Sequence, residues 1–220
     1  MPTSPATRNP TRWVGLGPEA RQAERRALLL DAAFELLGTE GWSGTSVRAV
    51  CQVARLNPRY FYESFDDLDA LLVAVYDRLV AELGAAVFAA MAEVGDDTAA
   101  QVRAALDTIL GFVEDDPRRG RVLYVEALGS EQLNRRRLET AHALVGLVEQ
   151  SGAERHGTPP PGEAIGRVTA AILVGGAGEL VVAWLDGRID VSRQRLVDDA
   201  TALFIALGDA AAGIASGRRR

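Results

Sequence analysis

Apolar residues return every three or four positions along almost the whole chain, and no stretch alternates β-branched and polar residues. That period is helical. Between Glu19 and Leu37 it places Ala23, Leu28, Leu29, Ala32, Ala33, Leu36 and Leu37 on one face, with Gly38 and Gly41 as the stop. A short helix is predicted over Thr45–Ala54. Another is predicted over Asn57–Phe65, with Asn57 as N-cap and Pro58 in the first helical position. Asp66 is the expected cap of a long helix reaching about Val94, with Asp67 and Asp69 in its first turn. Thr98 and Gln101 have capping-box spacing for a helix ending near Asp115. Asp116-Pro117 opens the next, to about Leu128, and Ser130 opens one to about Ser151. After a linker at 152–162 with three consecutive prolines, helices are expected over Glu163–Leu185 and Ser192–Ala212. The expected fold is all-α, with about nine helices.

The pattern also divides the chain. Residues 1–17, punctuated by Pro2, Pro5, Pro10, Gly15 and Gly17, look like a flexible arm in which Trp13 is the exception. Residues 18–65 form a compact head, 66–213 a larger helical body, and 214–220 a tail. The stretch Val168–Leu185 is apolar nearly all round but holds Glu179 and three glycines. It is expected to be a buried helix of a soluble protein rather than a membrane span. The polar N-terminus has no apolar core of a targeting signal, which points to the cytoplasm.

Composition narrows the chemistry. All 24 basic residues are Arg, against 30 acidic residues, for a net charge of −6. Without lysine there is no Schiff-base or P-loop lysine. One cysteine, Cys51, excludes an internal disulfide framework, and two histidines leave no histidine-rich metal site. No cofactor or metal is expected. Residues 1–65 hold 8 Arg and 6 acids, whereas the rest holds 16 Arg and 24 acids. A mildly basic end on an acidic body hints at a nucleic-acid-facing head, and any DNA binding must then come from local geometry.

That geometry is legible between Thr45 and Phe65. Two short helices separated by Arg55 and Leu56 cannot bury a face alone. They are expected to pack across the first helix through Val47, Val50, Cys51, Ala54, Leu56, Phe61 and Phe65. This is a helix-turn-helix, whose second helix enters the major groove of double-stranded DNA. Arg59 can fork to guanine, and Asn57 and Tyr60 can bond bases or phosphates. Tyr62 and Ser64 suit backbone phosphates, while Thr45, Ser46 and Arg48 can hold the flanking phosphate. Free N–H groups after Asp66 offer another phosphate site, and Arg21, Arg25 and Arg26 could reach the backbone from the first helix.

These residues resemble the TetR family of one-component transcriptional regulators. The resemblance runs across 32–79: Thr45-Ser46-Val47-Arg48, then Phe61-Tyr62-Glu63-Ser64-Phe65, then Asp67-Leu68-Asp69-Ala70-Leu71-Leu72. Gly175-Gly176, Trp184-Leu185-Asp186-Gly187 and an amphipathic last helix are similar as well. Three departures matter. Arg55 stands where the family turn usually has Gly, at a cost of about 1 kcal/mol if the turn stays left-handed. Leu68 replaces an expected lysine. Pro58, Arg59 and Tyr60 replace small residues of the recognition helix, so the operator should differ from those of better-known relatives.

A single short helix reads few base pairs, so a homodimer on a palindromic operator is expected. The last two helices offer the interface, with Leu173, Gly176, Leu180, Trp184, Leu196 and Phe204 as candidates. The resemblance implies that the remaining helices enclose a cavity for a small-molecule effector. Tyr76, Phe88, Phe112, Tyr124, His142 and Thr169 are candidate lining residues. The lack of a charge constellation among them points to an apolar ligand. The expected protein is therefore a repressor released by such a ligand; an activator remains an alternative. So does a helical adaptor whose Arg59/Tyr60/Tyr62 surface binds a protein partner. An enzyme lacks its parts, with no Glu-x-x-His pair, phosphate loop or Ser–His–Asp set.

Overall fold

The computed structural model describes residues 17–156 and 164–218, and every regular element among them is helical. The arm with Trp13, the proline run and the last two residues lie outside the described residues. The helices are α1 (Pro18–Thr39), α2 (Gly41–Gly44), α3 (Val47–Ala54), α4 (Pro58–Tyr62), α5 (Leu68–Glu93), α6 (Thr98–Asp115) and α7 (Pro117–Gly120). A π turn (Arg121–Val125) and a 3₁₀ turn (Glu126–Leu128) lead to α8 (Glu131–His156), α9 (Ile165–Leu185) and α10 (Arg193–Gly217).

Most expected helices form, and the differences have local causes. Gly38 does not end α1. It lies inside the helix, where a Cβ would come within 2.6 Å of the Arg118 Cβ, so it lets α7 approach. The turn falls at Gly41, whose φ of +73° is left-handed, and the one-turn α2 follows. Asp67, not Asp66, caps α5, its carboxylate accepting from the Ala70 N–H at 2.7 Å. Asp97, not Thr98, caps α6 at 3.0 Å, and Gln101 instead donates to the Gly95 carbonyl. The expected helix from Pro117 to Leu128 is broken by the π turn. α8 runs through the expected start of the linker to His156, and α10 runs to Gly217, through most of the expected tail.

Two apolar cores hold the chain. The head core joins Leu29, Ala33 and Leu37 of α1 to Val50 and Cys51 of α3, Phe61 of α4, and Leu71, Leu72 and Val75 of α5. Each large side chain so buried contributes about 1.5–3 kcal/mol. The body core joins Leu106, Leu110 and Val113 of α6 to Val181 of α9 and Leu196, Val197 and Ala200 of α10. Phe112 and Tyr124 touch both cores.

A polar latch ties head to body beside the π turn. Arg121 Nε donates to Glu126 Oε1 at 2.8 Å, and Glu126 Oε2 accepts the Trp42 N–H at 2.8 Å. Arg121 Nη1 also donates to the Thr39 carbonyl at 2.8 Å. Next to it Arg118 pairs with Asp116 and with Glu35 of α1 and lies over the Phe34 ring. The wider π turn lets Arg121 face the head while Leu123 and Tyr124 face the body cavity.

α9 is not the buried helix its composition predicts. Val168 and Ile172 are 49% and 54% exposed, and Leu203 of α10 is 68% exposed. Added Cβ atoms at Gly175 and Gly176 would meet nothing within 4 Å. α9 and α10 are long and apolar enough to cross a membrane by length and composition alone. α10, however, carries charged pairs along its length, with Arg195 paired to Asp199 and Arg103 of α6 paired to Asp198.

Candidate nucleic-acid interface and effector cavity

The head presents α4 through a tight turn. Arg55 ends α3 in the left-handed region (φ 54°, ψ 41°), the one non-glycine residue with positive φ among the described residues. The Arg55 N–H donates to the Gln52 carbonyl, and the Leu56 N–H to the Cys51 carbonyl at 2.9 Å. The turn is therefore kept in its left-handed form despite the side chain. Asn57 then caps α4, its Oδ1 accepting from the Arg59 N–H at 2.9 Å, and Pro58 holds the first helical position.

The expected contact residues separate into two groups. Ser46, Arg48, Asn57, Arg59 and Tyr62 are exposed on one end of the head. The Arg59 side chain is 82% exposed and is braced by Glu63, Nε to Oε1 at 2.9 Å. Ser46 accepts the Ala49 N–H and so caps α3. The others turn inward. Thr45 is buried and donates its hydroxyl to the Gly41 carbonyl. The Ser64 hydroxyl is also buried. Tyr60 is half-buried, because the Arg25 guanidinium stacks on its ring at 4.5 Å. Arg26 lies over Phe65 at 4.3 Å, so α1's arginines clamp the head as well as charging it. At the start of α5, Asp67 accepts the Ala70 N–H, and Asp66 and Asp69 add negative charge. Leu68 joins the head core where a lysine was expected.

In the body, a cavity of about 1720 Å³ opens between α5, α6, α8, α9 and α10. Tyr76, Phe88, Tyr124, His142 and Thr169 line it, with Phe88 and His142 at exposed positions. Phe112 does not. It fills the wall between the two cores under Arg119, 4.3 Å away. Thr169 donates its hydroxyl to the Ile165 carbonyl, so it offers the cavity chiefly its methyl group. Burial and the nearby Tyr76 push the Tyr124 phenol up to about 12, and burial raises Tyr76 too, which accordingly stay neutral donors. Sequence reasoning missed most of the polar lining, including Arg136, Arg137 and Thr140 on α8. Nothing in the helical period tells a charged residue facing a cavity from one facing water.

The expected interface residues also divide. Leu196 is buried in the body core, and Leu180 and Trp184 pack against that core. The Trp184 indole N–H donates to the Val191 carbonyl. Leu173 lines the cavity, and Phe204 lines it while packing on the core. Gly176 faces open space. Gly176 thus shares the uncovered apolar side with Val168, Ile172, Leu203 and Ile214, which the sequence reading did not name.

Comparison with known proteins places this arrangement. Residues 29–75, from α1 into α5, match the family model of bacterial regulatory proteins, tetR family. Among solved structures, the fatty acid degradation regulator FadR from Bacillus halodurans is 16% identical, with a TM-score of 0.69, covering 86% of this chain and 95% of its own. A TetR-like transcriptional regulator from Rhodococcus sp. RHA1 is 23% identical, with a TM-score of 0.58, covering 88% and 96%. A TetR family transcription regulator from Marinobacter aquaeolei VT8 is 19% identical, with a TM-score of 0.60, covering 84% and 97%. The head thus matches the model of the tetR family of bacterial regulatory proteins, and the chain as a whole shares its fold with these solved regulators.

Proposed function

We propose that the protein is a homodimeric repressor that reads a palindromic operator and leaves it when a small, mainly apolar ligand enters the body cavity. The observation that carries this is the turn at Arg55, which presents α4 with Arg59 and Tyr62 exposed at its surface. Arg59 must leave Glu63 to reach a guanine; an exposed pair of that kind is worth under about 1 kcal/mol and gives way. Ser46, Arg48 and Asn57 flank α4 and would take phosphates. The uncovered α9–α10 face is an apolar strip of the sort that a second copy buries. A two-fold pair would place the two α4 helices roughly 34–36 Å apart, one turn of DNA, or a multiple of that.

The cavity and the head meet at the π turn, where Tyr124 faces the cavity and Arg121 holds the end of α1. A ligand that favours one position of Tyr124 would bias the latch and with it the spacing of the heads. Its site of action is the cytoplasm, where the operator lies.

The test is selection of bound duplexes from a random DNA pool, by the wild type and by Arg59→Ala/Tyr62→Ala. An enriched palindrome that the double variant loses is expected, with affinity falling steeply as salt rises. No enrichment by the wild type at low salt overturns the proposal. A reporter gene behind the selected operator then separates repressor from activator.

A further inference from the structure

The cavity is apolar over most of its wall but not at the end where α5 meets α8. There the lining includes Tyr76, Tyr124, Arg136, Arg137 and Thr140. The two arginines differ. Arg136 is fully engaged, with Nε on Asp77 Oδ1 at 2.6 Å and Nη1 on Glu139 Oε2 at 3.2 Å. Arg137 has no carboxylate within ion-pair distance among the described residues. Its one hydrogen bond is a long one, 3.3 Å to Asn134 Oδ1, and its Nε is buried without an acceptor. A guanidinium cannot lose its proton, so a buried, unanswered N–H there is costly until something supplies an oxygen.

We infer that the cavity takes an amphipathic ligand with a carboxylate head, the carboxylate lying against Arg137 and Tyr76 and the apolar tail running along α8. This rests on the reading of the cavity as the effector site and names the class of its ligand. A carboxylate answers the arginine fork with two acceptors, and its bonds are stronger than those of a neutral group. Asp77 and Glu139 both sit on Arg136, which leaves the single charge of Arg137 to meet one carboxylate rather than a phosphate dianion. An ammonium at this end would be repelled by the Arg137 cation, which no carboxylate offsets among the described residues. Beyond Arg137 the wall is apolar, with Leu83, Phe88, Leu144, Val145 and Val148. From Arg137 to Val148 the helix advances roughly 16 Å, which suits an extended chain. The lining also holds Glu149, Glu154 and Asp209 together with Arg155, and Glu149 is paired with Arg167.

The experiment is calorimetric titration of the full chain with dodecanoate, dodecanol and dodecylammonium, below the concentrations at which they form micelles. Wild type is expected to bind dodecanoate at least about tenfold more tightly than dodecanol, and dodecylammonium more weakly than either. Arg137→Gln should remove that preference while dodecanol binds as before, which also shows that the cavity is intact. Equal binding of dodecanoate and dodecanol by wild type, or a preference that survives in Arg137→Gln, overturns the carboxylate assignment and leaves the apolar cavity standing. Binding of none of the three overturns both. Should Arg137→Gln fail to fold, the wild-type ratio alone decides.

Discussion

Glu126 is the most consequential single carboxylate between the head and the body. Its side chain is only 12% exposed and serves two donors from different parts of the chain, Arg121 Nε and the Trp42 N–H, each at 2.8 Å. Glu126→Ala strands both. A hydrogen bond to a charged partner contributes about 1.5–3 kcal/mol, so two set an upper figure of about 3–6 kcal/mol. Arg121, however, is 40% exposed, which admits water, and it keeps the Thr39 carbonyl. The Trp42 N–H has no such replacement. The expected loss is therefore about 2–3 kcal/mol, which for a chain of this size lowers Tm by about 4–12 °C. Thermal unfolding followed by circular dichroism, at one protein concentration for both chains, measures it. A second consequence is functional. With the latch open the ligand should still bind, but it should release DNA less effectively, because the Trp42 N–H of α2 is no longer held to the body and Arg121 keeps only its bond to the end of α1. A Tm within 1 °C of wild type together with unaltered ligand release would show that neither the pair nor the latch matters.

Three further outcomes follow from other parts of the molecule. Arg55→Gly relieves a left-handed backbone at an exposed residue and should raise stability by about 1 kcal/mol in chemical denaturation, whereas Arg55→Ala should not. Leu203→Glu, on the uncovered α10 face, should shift sedimentation towards monomer and weaken operator binding while the helical spectrum is retained; unchanged sedimentation would remove that face from the interface. The raised Tyr124 phenol stabilises the folded state fully below the ordinary tyrosine value of about 10, and that stabilisation is lost as pH climbs through about 12. Tyr124→Phe should therefore flatten the fall in stability between those values, and an unchanged slope would count against a buried neutral phenol.

Much of this protein is written in its apolar period. The helices, their order and the all-α class follow from residues three and four apart, because a helix must bury one stripe whatever it packs against. The head was legible in more detail, since short helices, Asn57-Pro58 and the Phe61/Phe65 pair leave few ways to bury a face. Whether the turn keeps its left-handed form with Arg55 in it was not legible; the structure shows that it does. Burial direction was not legible at the same resolution. Thr45 and Ser64 look like phosphate ligands in sequence, but the fold turns their hydroxyls inward. Leu196 looks like interface and is core, while the exposed strip belongs to Val168, Ile172 and Leu203. A one-turn rotation of a helix changes such assignments without changing its pattern. The π turn, the Arg121–Glu126–Trp42 latch and the unpaired Arg137 join residues dozens of positions apart or depend on which charges find partners. Those are properties of packing, and only the tertiary structure decides them.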